Sequence, residues 1–100
     1  MTRVTAAFER ARRENRKALV LYLTAGDPDF ETSLRLVIAA ARSGADIIEL
    51  GVPWSDPSAD GPAIQAAMLR ALHAGGGLGR TLELCRKLRA AAPDVGIVLF

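Results

Sequence analysis

The chain is poor in the residues that many enzyme and export chemistries require. It has a single cysteine, Cys85, so an internal disulfide and a Cys-x-x-Cys metal site are both excluded. It has a single histidine, His73, in a helical segment away from the acidic loop described below. No neighbouring motif supports a Ser–His or Cys–His nucleophile. Neither strand-to-helix loop holds a G-x-G-x-x-G or P-loop pattern, which removes the usual mark of a nucleotide fold. The longest apolar runs are too short to span a bilayer. A secretion signal is missing, and with the lone cysteine this predicts a cytoplasmic protein in a reducing compartment. There is no sequence repeat and no low-complexity linker.

Net charge is small, +2. Arg3, Arg10, Arg12, Arg13, Arg16 and Lys17 cluster near the start, which raises the possibility of a nucleic-acid patch. Glu9 and Glu14 interrupt the cluster, and Val4, Ala7, Phe8 and Ala11 recur at helical spacing. The cluster therefore reads as the solvated face of an amphipathic helix, with neither nucleic acid nor membrane as a partner. The 100 residues suffice for one small domain, 1–100, and half of them are apolar, as a chain with a core requires.

Alternation organises the chain. The spacing predicts a helix over 5–15, then a nearly all-apolar strand over 18–24, buried on both faces. Ala25-Gly26-Asp27-Pro28 is a turn, with Asp27 as N-cap and Pro28 as the first helical residue. A helix with Leu34, Val37, Ile38 and Ala41 on one face follows and stops before Gly44. The second strand is 45–51. Pro62 opens a helix whose stripe is Ile64, Ala67, Met68 and Ala71, and Gly75-Gly76-Gly77 breaks it. A further helix covers 80–91, with Cys85 as a small core hydrophobe. Pro93 ends it, and 95–100 is the third strand. Short loops between alternating elements imply an α/β fold with parallel strands. An open doubly wound sheet and the first part of a (β/α)8 barrel both fit. The barrel is favoured because both strand-to-helix loops carry acids and no nucleotide motif.

The segment from Glu49 to Pro62 holds the chemistry. Alternation puts Ile47, Glu49 and Gly51 on one strand face and the more apolar Asp46, Ile48, Leu50 and Val52 on the other. Packing the second face on helices points Glu49 into the barrel near its C-terminal mouth. An acid there is partly desolvated, which suits it both to donate and to accept a proton near neutral pH. The alternative is a Glu satisfied by a buried hydrogen bond or ion pair. Val20, Tyr22 and Thr24 share a face. Turned inward, Tyr22 and Thr24 line the same mouth and contact a flat apolar substrate, or they are ordinary core. Asp60 is either an N-cap for the following helix or an anion held over the pocket. Asp27 and Asp56 read as turn residues.

The run Leu23-Thr24-Ala25-Gly26-Asp27-Pro28, then Ala45-Asp46-Ile47-Ile48-Glu49-Leu50-Gly51-Val52-Pro53, Ser55-Asp56-Pro57 and Ala59-Asp60-Gly61-Pro62-Ala63-Ile64-Gln65 closely resembles the tryptophan synthase alpha chain family. The likeness extends from the first helix to Phe100. It implies a (β/α)8 barrel, here its first three strands. It also implies a lyase of tryptophan biosynthesis that cleaves indole-3-glycerol phosphate to indole and glyceraldehyde 3-phosphate by a retro-aldol step. The implied partner is a beta chain, in a heterotetramer of two alpha and two beta chains. Pyridoxal phosphate is then confined to the beta chain, and no cofactor or metal is expected here. By the same resemblance Glu49 is the general acid/base and Asp60 holds the indole N–H. Tyr22 lies in the indole pocket, with Thr24 beside it, and Pro53 and Asp56 meet the beta chain. Two positions depart from the family pattern: Trp54 replaces Phe, and Ser58 replaces Leu, which removes apolar surface from the loop.

A barrel of this type takes about 250 residues. The family's phosphate grip lies in late loops that this sequence does not contain. Two readings follow: the N-terminal portion of an active alpha chain, or a truncated, non-catalytic chain that only binds a partner such as the beta chain. The isolated 100 residues are expected to associate through open strand edges and to show no turnover.

Overall fold

A computed structural model describes residues 1–56 and 59–100. Ser58, one of the two departures from the family pattern, lies outside the described residues. The elements run α1 (Arg3–Arg13), β1 (Val20–Thr24), α2 (Phe30–Arg42), β2 (Ile47–Gly51), α3 (Pro62–His73), α4 (Leu78–Ala91) and β3 (Gly96–Leu99). The three strands form one parallel sheet in the order β1-β2-β3. Parallel pairing of successive strands is what the helical crossovers dictate. Strand ends fall a residue or two inside the expected runs.

Register places Tyr22 beside Glu49 and Thr24 beside Gly51, with Val98 on the far side of Glu49. The opposite face carries Leu21, Leu23, Ile48, Leu50 and Ile97. It packs on α2 and α4 through Val37, Leu84 and Leu88. Ile48, Leu50, Leu84 and Leu88 are fully buried. Each such side chain contributes about 1.5–3 kcal/mol by leaving water. Cys85 packs against this cluster, as expected, and burial pushes its thiol above the usual range.

Three expectations are corrected here. Strand β1 is not buried on both faces: Val20 and Tyr22 are 39% and 37% exposed. Helices α2 and α4 cover the Leu21/Leu23 face. The N-cap of α2 is Asp29 rather than Asp27, and Phe30 rather than Pro28 is its first residue. The Asp29 carboxylate accepts from the Thr32 N–H at 2.8 Å and the Thr32 hydroxyl at 3.0 Å, a cap that needs a partner three residues on. Finally, the basic cluster is not uniformly solvated. The Arg16 guanidinium donates to both oxygens of Asp46, at 2.9 and 3.0 Å. The Leu19 N–H donates to the same carboxylate at 2.8 Å, and Arg10 lies 4.0 Å away.

Asp46 is 4% exposed, at the N-terminal end of β2. A buried carboxylate survives only when paired and hydrogen-bonded, and this one is. The Arg16 hydrogen bonds, helped by the Leu19 N–H, hold its carboxyl below the usual carboxylate range against the opposing effect of burial.

Candidate active site

The C-terminal end of the sheet is built differently. There the uncovered face of β1 and β2 meets the loop after β2 and one side of α3. The result is an open cleft of about 770 Å³ lined by Tyr22, Glu49, Val52, Trp54, Ala59, Asp60, Ile64, Met68 and Phe100. Its walls are mostly apolar, and among the described residues its only charged lining groups are the two acids.

Glu49 reaches the cleft because alternation along β2 turns it away from the helix layer. It is half-buried. Among the described residues no hydrogen bond or ion pair reaches its carboxylate, so the structure offers no partner for the expected alternative of a satisfied buried Glu. Asp60, between Ala59 and Gly61, lines the same cleft.

The N-cap alternative for Asp60 is not met. Gly61, not Asp60, is the N-cap of α3, and no side chain caps this helix. The physical reason is Pro62. It takes the first helical position, where its fixed φ fits and its missing N–H costs nothing. Were Asp60 the cap, Pro62 would fall at the second helical position and deny the carboxylate one of the two N–H groups that it normally receives. The backbone carbonyl of Asp60 instead accepts from Gln65 Nε2 at 2.7 Å, and its side chain is left to the cleft.

Tyr22 lines the cleft as expected, but Thr24 does not. Thr24 is buried, and its hydroxyl lies 3.1 Å from the Tyr22 hydroxyl. It tethers the ring rather than presenting a surface. Phe100 meets that ring edge-on, with centroids 6.4 Å apart. Gly51 completes the arrangement: a Cβ there would collide with the Tyr22 hydroxyl. Only glycine lets the phenol lie across the end of β2. Gly51, Phe100, Ile64 and Met68 carry no assigned role in the sequence reading. Ile64 and Met68 were visible there as the helix stripe, and Gly51 as a glycine inside a strand, a sign of close approach.

The two residues expected at a partner differ. Pro53 is buried, its ring 3.3 Å from where a Cβ on Gly76 would sit. Asp56 is exposed. Asp27, expected in a turn, is there, and its carboxylate accepts from Arg70 Nε and Nη2 at 2.8 and 3.1 Å. This pair ties the β1–α2 turn to α3, and Ala71 packs 3.7 Å from the space above Gly26. After His73, Gly75 turns the chain out of the helix with φ +90°, a left-handed step that favours glycine. His73 is exposed at that end and does not line the cleft. Among the described residues no His/Cys/Asp/Glu cluster could hold a metal ion, and no helix is long and apolar enough to cross a membrane.

A cleft of this kind suits acid–base work on a flat apolar molecule. One carboxylate lies on a strand and the other just before α3, so a ring bound in the cleft can meet both a proton donor/acceptor and an anion.

Comparison with known proteins agrees in family and fold. The family model described as tryptophan synthase alpha chain matches residues 8–100. A tryptophan synthase alpha chain of Gluconobacter oxydans (strain 621H) is 54% identical over 99 residues, which is 99% of this chain and 37% of that protein. Tryptophan synthase of M. tuberculosis, in an open form with BRD0059 bound, superposes with a TM-score of 0.89 at 39% identity, over 98% of this chain and 39% of the other. Tryptophan synthase subunit alpha from Legionella pneumophila str. Paris gives 0.86 at 38% identity, over 99% and 38%. The chain thus spans less than two-fifths of the length of these relatives. Its three strands and their helices are part of a (β/α)8 barrel.

Proposed function

The chain belongs to the tryptophan synthase alpha chain family, and from that premise we propose that it carries the acid–base part of a lyase site. The reaction is the retro-aldol cleavage of indole-3-glycerol phosphate to indole and glyceraldehyde 3-phosphate. The observation that carries this reading is that two carboxylates, Glu49 and Asp60, line one mostly apolar cleft with no cation among the described lining residues.

In this reading the indole ring lies between Glu49 and Asp60, against Tyr22. Glu49 donates a proton to the ring carbon that bears the side chain, and the ring becomes a cation. Asp60 accepts a hydrogen bond from the indole N–H and offsets that charge, an effect strengthened by the apolar walls. The Glu49 carboxylate then takes the proton of the hydroxyl on the adjoining carbon. The carbon–carbon bond breaks, its electrons return to the ring, and the hydroxyl oxygen becomes the aldehyde of glyceraldehyde 3-phosphate. Glu49 ends protonated, as it began. Among the described residues no cationic side chain lines the cleft to hold the phosphate.

The step needs no cofactor of this chain, and pyridoxal phosphate belongs to a partner beta chain. The loop after β2 faces that partner: Asp56 presents an exposed carboxylate, while Pro53, buried, fixes the root of the loop. A cytoplasmic heterotetramer of two alpha and two beta chains is the assembly proposed.

The test is indole release from indole-3-glycerol phosphate by the protein expressed from its native gene. Release that is stimulated by a beta chain supports the lyase reading. Stable beta-chain binding without indole release would replace it with the non-catalytic reading.

A further inference from the structure

The start of α3 holds a competition for Asp60. Its first turn has backbone N–H groups at Ala63 and Ile64 with no side chain to cap them. Such groups, at the positive end of a helix, attract carboxylates. Asp60 lies immediately before them. An aspartate there has an obvious resting place, and it is not the cleft.

Two features oppose that resting place. Pro62 removes one N–H from the would-be cap. Gln65, one turn into the helix, donates from Nε2 to the Asp60 carbonyl at 2.7 Å, while its own backbone N–H bonds the Gly61 carbonyl at 3.0 Å. A carbonyl acceptor requires the amide nitrogen at this end of the side chain. Together the two bonds hold the Asp60–Gly61 backbone in the extended entry to the helix, where Gly61 serves as cap.

We infer that Gln65 is a positioning residue that keeps the Asp60 carboxylate in the cleft and off the N-terminus of α3. The inference rests on the function proposed above for Asp60. Glutamine is suited to the task because it donates without carrying charge. A glutamate at 65 is ionised at neutral pH, cannot donate and repels Asp60. A leucine has similar bulk and helix preference but no polar group.

The experiment compares crystal structures and kinetics of the native-gene protein with its Gln65→Leu and Gln65→Glu variants. In Gln65→Leu the Asp60 carboxylate is expected to leave the cleft and accept from the Ala63 N–H. Both variants should lose about tenfold to a hundredfold in kcat, the order that a displacement of about 1 Å can cause. KM should stay within about twofold, because the apolar walls that bind the ring are untouched. Asp29→Ala, which removes the cap of a helix away from the cleft, serves as control: it lowers thermal stability and leaves kcat unchanged. An Asp60 that stays in place in Gln65→Leu overturns the inference. A displaced Asp60 with unchanged kcat upholds the positioning by Gln65 and removes Asp60 from the lyase reading. If the native-gene protein itself releases no indole, the lyase reading fails, and the crystal comparison still decides what Gln65 holds.

Discussion

Two acids, Asp46 just before strand β2 and Glu49 within it, have opposite surroundings. Asp46 is buried and receives three short hydrogen bonds, two from Arg16 and one from Leu19. Glu49, three residues on, is half-buried on the other face of the sheet, with an open cleft before it and no side-chain partner among the described residues. The strand's alternation separates them: one step sends a side chain to the helix layer, the next to the cleft. A carboxylate whose hydrogen-bonding capacity is filled by its own protein has none left for a substrate. One that is shielded by apolar walls and left unpaired is available to bind or move a proton. Asp60 belongs with Glu49, and Asp29 and Asp27, both engaged, belong with Asp46.

The largest effect that would sharpen this contrast is at Glu49. In the native-gene protein, Glu49→Gln should lower kcat by about 10²–10⁴-fold, the usual worth of a general acid/base, with the thermal midpoint unchanged. Next comes Gly51→Ala. The added methyl collides with the Tyr22 hydroxyl, so the ring must leave its place beside Thr24 and Phe100. Substrate affinity, read as KM, should weaken by about tenfold, the scale of about 1.4 kcal/mol. An unchanged KM would mean that the ring is not part of the binding wall.

The third test works on the structural acid through pH. Because the carboxyl of Asp46 lies below its ordinary value in the folded state, its contribution to stability is fully present above the unfolded value of about 3.9 and is lost as pH falls through the depressed folded value. Asp46→Asn should therefore be less stable than the parent at neutral pH, and the gap should narrow in acid. A gap that is constant with pH would break the account of that end of the strand. The smallest effect is expected at Asp29, where removing the exposed cap of α2 should shift the melting temperature slightly and alter nothing at the cleft.

Much of this arrangement is legible in the sequence, and the limits have physical causes. The alternation of elements shows because apolar runs are punctuated by glycine and proline at Gly44, Pro62, Gly75 and Pro93. Glu49 shows because an acid closing an apolar strand has few structural explanations. What stays hidden depends on pairing across distance. Asp46 reads as one more residue of the helix-facing side until Arg16, thirty positions earlier, folds onto it. Asp27 reads as a cap until Arg70 takes its carboxylate. The part played by Gly51 depends on register, since only the pairing of Thr24 with Gly51 lays the Tyr22 hydroxyl over it. The exclusion of Asp60 from the cap was locally readable: Pro62 two positions later disfavours it, and the Asp-Gly-Pro order carries that signal. The exposure of Val20 and Tyr22 could not be read from their apolar character, because apolarity does not say which face of a strand is covered.

The most direct test measures turnover and thermal midpoint side by side for Glu49→Gln and Asp46→Asn in the native-gene protein. The account predicts a crossed result: Glu49→Gln keeps its stability and loses indole release, while Asp46→Asn loses stability and keeps its turnover per folded molecule. Retained turnover in Glu49→Gln would contradict the account, because the unpaired carboxylate of the cleft would then not be the group that moves the proton.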